Sequence, residues 1–342
     1  MFNFTRITIC VHSALAATYK RSIYFFGIIL LGTGLSAFGG PIYHGGATLS
    51  DPTVNFIWYG NWGLDPTALT LLPQLVTNLS GSSYFNTVAS MGVSNQLSFG
   101  SNIFIDGTSD NTSLYLGTAV IGSATGSSGS IGTIVNSVFG ANLLVDNTHS
   151  VYFVLTAPNI AVSGFNAGFC GWHSSINGTA SNWGGTHLGT QIGFIGDPAS
   201  TDLGCLDQGI QGPSGSFGAD MMANVITHEL AEVVTDPTGR AWWDSNVLPP
   251  TYNHESSDMC VGNFGPTYTT ADGARANIDL NGTNYLLQKQ WVNTGAGTGN
   301  CAMSYVSVAS VPEPNSLTLV ILAVVMLLLQ RRRWSGYPTS KF

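Results

Sequence analysis

The chain has 342 residues, enough for one large domain or two ordinary ones, with 44% hydrophobic and only 8% charged residues, 42 glycines and a net charge of −8. Soluble proteins usually carry about 25% charged residues, so this composition suits an exported, β-rich, loop-rich protein better than a cytosolic one. The acidic balance, with no Lys/Arg patch in the middle of the chain, excludes nucleic acid as an expected partner.

Residues 1–37 read as a leader and signal peptide. Lys20-Arg21 precede the apolar run from Ile23 to Leu35, and Gly34-Leu35-Ser36-Ala37 offers a cleavage site after Ala37. Residues 38–308 show no internal boundary or repeat and are expected to form one domain. Thr53 to Tyr59 predicts a buried strand ending at Gly60. Leu71, Leu72, Leu75, Val76 and Leu79 recur at helical spacing and predict a helix over Thr67 to Leu79, started by Asp65-Pro66. A short helix is expected over Ser83 to Ser90, a strand over Gln96 to Ile105, and a helix over Ile131 to Leu144 after a Gly/Ser-rich loop at 122–130. Ser150 to Thr156, Gly168 to Ile176 and Gln191 to Ile195 read as strands. Ala219 to Thr235 is the clearest helix and is stopped by Pro237. The rest is loop-rich, with short strands near Ala276–Leu280 and Thr283–Gln288. Alternating strands and helices predict a single α+β or α/β domain: a mixed β-sheet packed with helices and joined by Gly/Asn/Ser-rich loops.

Four cysteines lie in the mature region: Cys170, Cys205, Cys260 and Cys301. An even number in an exported chain favours two disulfides, and no CxxC pair suggests a zinc ribbon. Sequential pairing, Cys170–Cys205 and Cys260–Cys301, is the expectation among three connectivities.

The chemistry concentrates in HELAEVVTDP, residues 228–237. Zinc peptidases of the HExxH type begin their metal helix with His-Glu, but here the second His position is Glu232. His228 and Glu232, four apart on a helix, share one face, and imidazole and carboxylate are both zinc ligands. Glu229 stands where those enzymes keep their general base, so a zincin-like arrangement is one expectation. Asp236, about 80° round the helix from His228, is a further candidate ligand. In HESSDMC, Glu255 and Asp258 are the preferred outside ligands, with His173 of GFCGWH as another possibility. Crowding of Glu229, Glu232 and Asp236 is costly without a cation. A divalent metal is therefore expected, zinc ahead of calcium, although the extra carboxylate favours harder ions than HExxH does. The competing expectation is an ordinary i, i+4 surface pair and a turn aspartate.

Other signals are weaker. Asp197, Asp202 and Asp207 are spaced too loosely for an EF-hand. Trp58, Tyr59, Trp62, Trp172, Trp183, Trp242 and Trp243 are expected in the core, with a sugar-stacking surface as the alternative. No GxSxG elbow, P-loop or dinucleotide fingerprint is present.

Four stretches in order, FIWYGNW (56–62), GFCGWH (168–173), GSFGADMMANVITHELAEVVTDP (215–237) and NIDLNGTNYLLQKQW (277–291), resemble the EXORDIUM / phosphate-induced protein 1 family. The resemblance is to bacterial members with an HExxExxTDP helix, and it implies a secreted protein without an agreed biochemical activity. Residues 309–334 hold Pro312-Glu313-Pro314, an apolar stretch from Leu317 to Leu329 and Arg331-Arg332-Arg333. They resemble the PEP-CTERM sorting signal, followed by a short tail at 335–342. That resemblance implies a transient membrane anchor, an exosortase partner and release at the surface or matrix of a Gram-negative bacterium. Two functions are expected from the whole. One is an exported metal-dependent hydrolase, peptidase-like, with Glu229 as base. The other is a non-catalytic surface or matrix protein that binds polysaccharide or a protein partner and holds a structural cation only.

Overall fold

The computed structural model describes residues 39–105, 130–162, 164–166, 168–176, 188–198, 212–244, 254–295 and 297–306. The expected leader, the sorting tail, the 122–129 loop, Trp183, Cys205, Asp202 and Asp207 lie outside the described residues. The strands in chain order are β1 (Ile42–Tyr43), β2 (Thr53–Tyr59), β3 (Ser98–Ile105), β4 (Ser150–Thr156), β5 (Gly171–Ile176), β6 (Thr190–Gly196), β7 (Trp242–Trp243), β8 (Tyr268–Thr269), β9 (Arg275–Ala276), β10 (Ile278–Leu280), β11 (Thr283–Tyr285), β12 (Gln290–Gly295) and β13 (Thr298–Ala302). The α-helices are α1 (Ala68–Leu79), α2 (Ser130–Gly140) and α3 (Phe217–Thr235), with 3₁₀ turns that include Phe85–Met91 and Asp258–Cys260.

The central sheet has the order β3-β2-β4-β6-β5. Its first four strands are parallel, and β5 runs antiparallel beside β6. Parallel strands need helices on both faces, so their sequences read as continuous apolar runs. TVNFIWY and SVYFVLT do so. Val54, Phe56, Trp58, Phe153 and Leu155 pack toward α1 and α3, whereas Ile57, Tyr59, Tyr152 and Val154 pack toward α2. The result is a mixed sheet between two helical layers, as the alternation of elements predicts.

The helix α3 starts at Ser216, whose hydroxyl accepts the Ala219 N–H, with Asp220 in its first turn. Nearly every side chain along it is buried, which its small residues (Gly218, Ala219, Ala223, Ala231) permit. Close approach to the sheet is what Gly171 provides. A Cβ there would overlap Val225 Cγ1 of α3 and come within 3.0 Å of the Phe194 carbonyl oxygen. At the other end Asp236 ends the helix, and its Oδ1 accepts the N–H groups of Arg240 (2.5 Å) and Ala241 (2.6 Å).

Several boundaries differ from the sequence reading: α2 ends at Gly140 rather than Leu144, β3 begins at Ser98 rather than Gln96, and α3 begins at Phe217 rather than Ala219. The strand expected from Gly168 begins at Gly171, and the one expected to reach Gln288 ends at Tyr285. Leu287 N–H and Gln288 N–H are instead taken by the side chains of Asn277 and Asn224. The β12–β13 hairpin was not foreseen, because TGNCA has no apolar alternation. Its stability comes from Trp291, whose indole covers Gly40 and Gly299 too closely for a side chain at either, and from the Cys260–Cys301 disulfide.

Overpacking in a tight core costs about 1–3 kcal/mol. Gly171→Ala should therefore lower the unfolding free energy by that order, seen as a lower urea midpoint. Gly140→Ala, where the new methyl meets nothing within 4 Å, should move stability by no more than about 0.5 kcal/mol. Equilibrium denaturation of the two variants checks both.

Candidate metal centre

Three elements build the site. On α3, one turn separates His228 from Glu232, and Glu229 adjoins. From the edge strand β5, His173 reaches across to the same helix. The third element is the loop that follows the Asp244–His254 bridge and carries Glu255 and Asp258; the Cys260–Cys301 disulfide fixes its far end.

Glu232 is the centre. Its side chain is 3% exposed. Its Oε1 accepts the backbone N–H groups of Ser257 and Asp258, each at 3.1 Å. Its Oε2 faces His228 Nε2 at 3.3 Å and His173 Nδ1 at 3.8 Å. His228 Nε2 also lies 3.4 Å from Asp258 Oδ1. His173 Nδ1 contacts Glu229 Oε2 at 3.0 Å, and its Nε2 lies 3.6 Å from Glu255 Oε1. Two donor sets converge here: His228, Glu232 and Asp258; and His173, Glu229 and Glu232.

The expected residues thus fall in three groups. His228, Glu232 and Asp258 come together. His173 and Glu229 meet on the other side of Glu232. Asp236 and Glu255 join neither set: Asp236 anchors the turn after α3, and Glu255 stands behind His173. Asp236 and Glu255 instead pair with each other through a side-chain hydrogen bond.

Three polar residues of the site were not singled out in the sequence. Gln288 Oε1 faces His228 Nδ1 at 3.4 Å, and its Nε2 donates to the Ser257 carbonyl. Ser257 Oγ donates to the His228 carbonyl and to Gln290 Oε1. The alternating glutamines of QKQW were the available signal, since period-two polar residues next to an apolar run share one face.

A family model for the phosphate-induced protein 1 conserved region matches residues 42–291. The chain belongs to the phosphate-induced protein 1 family. It is similar to Protein EXORDIUM-like 5 of Arabidopsis thaliana, at 29% identity over 65% of this chain and 64% of that protein, so it spans just under two thirds of that relative. It is also similar to Protein EXORDIUM-like 3 of Arabidopsis thaliana (27% identity, 73% of this chain, 79% of that protein). Protein PHOSPHATE-INDUCED 1 of Nicotiana tabacum is 26% identical over 72% of this chain and 83% of its own length. No solved structure matches. Every donor of the two sets lies inside the matched family region, whereas Cys301 lies beyond it.

The remaining expectations can be placed on this family domain. Trp58, Tyr59 and Trp62 are core residues, and Trp172 stacks on Phe194. Trp242 and Trp243 are partly buried, and Trp243 stacks on His44. Cys170 is disulfide-bonded. Asp197 is buried beside Gly218, at the start of α3. No helix among the described residues is long and apolar enough to cross a membrane.

Burial sets the electrostatics of the centre. Desolvation pushes Glu232 up to about 7 and Glu255 up to about 8, against the pull of His228 and His173 respectively. Desolvation also raises Asp236. Burial opposes charge on both imidazoles, but surrounding carboxylates override it and hold His173 and His228 well above the usual histidine value. Asp258 goes the other way: burial would raise it, yet His228 holds it below its usual range. The raised groups bind protons more tightly folded than unfolded, so their stabilisation is complete at low pH and is lost as pH rises. The metal-free protein should lose thermal stability from near pH 4.5, where an ordinary glutamate titrates, through about pH 8. Differential scanning calorimetry in chelator should show a falling Tm over that window, and added divalent cation should restore it most at the alkaline end.

Proposed function

We propose that this chain is an exported EXORDIUM-like protein that holds a divalent cation between His228, Glu232 and Asp258 and uses it in hydrolysis. The observation that carries this reading is the donor spacing. Ligands bound tetrahedrally to zinc at ~2.0–2.1 Å stand about 3.3–3.4 Å apart, and His228 Nε2 lies 3.3 Å from Glu232 Oε2 and 3.4 Å from Asp258 Oδ1. Such a set fits zinc better than calcium, which takes six to eight oxygen ligands.

Three protein ligands are the complement of a catalytic zinc site, which keeps one position for water or substrate. The Asp258 side chain is 35% exposed, so the set borders solvent on that side. The chain's own residues prepare the ligands. Ser257 and Asp258 N–H groups fix one oxygen of Glu232 and leave the other facing the imidazole. Gln288 faces the opposite nitrogen of His228 and sets the ring's orientation, the usual arrangement for a metal-ligating histidine. When bound, the cation would polarise the scissile bond of a peptide or glycan. The leader and the Arg-terminated tail support export, with an exosortase-type machinery as partner. The non-catalytic alternative, a surface or matrix protein with a structural cation, calls for a site closed by protein ligands.

Two measurements separate these. Untagged protein purified without chelator should contain zinc, and the His228→Ala, Asp258→Ala double variant should lose at least one equivalent. Absence of any divalent metal from the unaltered chain would overturn the reading. In cobalt-substituted protein, azide should shift the visible absorption bands without releasing the metal. Unchanged bands would mean a closed coordination shell and a structural cation.

A further inference from the structure

We propose that the centre takes two divalent cations, the second bound by His173, Glu229 and Glu232, with the Glu232 carboxylate shared between the ions. This rests on the cation reading of His228, Glu232 and Asp258 and adds a second set of ligands beside it.

The geometry is the first support. Two imidazoles from different elements, His228 on α3 and His173 on β5, approach the same Glu232 oxygen at 3.3 Å and 3.8 Å. Donors on a single ion with bonds of 2.0–2.4 Å can be at most about 4–4.8 Å apart. The converging donors here form two sets that have only Glu232 in common. A shared carboxylate is the simplest way to satisfy both.

The outer partners are the second support. A metal-ligating histidine presents one ring nitrogen to the ion and its other N–H to an acceptor. His228 has Nε2 toward Glu232 and Asp258, and Nδ1 toward Gln288 Oε1. His173 mirrors this, with Nδ1 toward Glu229 and Glu232, and Nε2 toward Glu255 Oε1. On the His173 side Glu255 and Asp236 adjoin and are hydrogen-bonded to each other. Asp236 is fully buried, and its charge acts on His173.

Charge is the third. Five carboxylates, Glu229, Glu232, Asp236, Glu255 and Asp258, meet at this centre. Glu229 and Glu232 are buried, and a second dication would offset the charge they carry as ligands. Uncompensated buried charge is among the most expensive arrangements in a protein. Imidazole with carboxylate suits zinc or manganese. Glu229, expected from the sequence as a base, is thereby assigned as a ligand. Paired ions can clamp the attacking and leaving oxygens of a displacement.

The test uses full-length protein stripped with chelator, reloaded with manganese or zinc, and analysed by metal mass spectrometry. Unaltered protein should bind two equivalents. His173→Ala and Glu229→Gln should each bind one, His228→Ala one, and Glu232→Gln none. Manganese-loaded protein should give the spin-coupled paramagnetic resonance signal of a carboxylate-bridged pair, a readout that needs no variant to fold. One equivalent in the unaltered chain, kept in His173→Ala and lost in His228→Ala, would overturn the second site and leave the single-cation reading standing. Two equivalents with an uncoupled six-line signal would overturn the shared carboxylate. No bound metal would sink both proposals.

Discussion

A carboxylate buried to 3% exposure must be held by hydrogen bonds or charge, and Glu232 is held by both. Two consecutive N–H groups, from Ser257 and Asp258, converge on its Oε1. They turn a stretch of irregular backbone into a receptor for one helix residue. The Ser257 hydroxyl adds a bond to the His228 carbonyl, so the loop grips the helix at both ends of a single turn. The position of Asp258, and with it the first donor set, follows from that docking.

The sheet supplies the other half. α3 lies against β5 and β6, and Gly171 leaves room there for Val225. The antiparallel run of β5 then sets His173 beside Gly193 in register and over the helix. Behind the loop, Cys260–Cys301 ties the turn to the β12–β13 hairpin, and Trp291 closes that hairpin against Gly40. A disulfide of this kind acts mainly by restricting the unfolded chain. Here it also limits how far the loop carrying Asp258 can leave the helix.

The scarcity of charge gives the centre its weight. Only 8% of residues are Asp, Glu, Lys or Arg, yet four further carboxylates and two histidines gather around Glu232. A solvated helix end would expose these groups; this one buries them. Membership of the phosphate-induced protein 1 family places the centre inside the matched region. The names of the plant relatives carry no chemistry that could account for it.

Some of this was written in the sequence. Strands buried on both faces announce themselves as apolar runs, and the i, i+4 spacing puts His228 and Glu232 on one face of any helix, whatever surrounds it. Those are local properties, fixed by backbone geometry within a few residues. Which outside carboxylate meets His228 was not local. Asp258, 26 residues beyond Glu232, was chosen over Glu255 because two backbone N–H groups of the loop bind Glu232 and turn Asp258 inward. His173 is 56 residues from Glu229 and reaches it only through strand order and an edge strand that runs antiparallel. Asp236 lies where the helix ends, and its Oδ1 caps the following turn. The sequence by itself determined the elements and the shared face of His228 and Glu232 on the helix. Tertiary structure alone decided the partners, because long-range contacts depend on sheet topology and loop docking, which spacing along the chain does not encode.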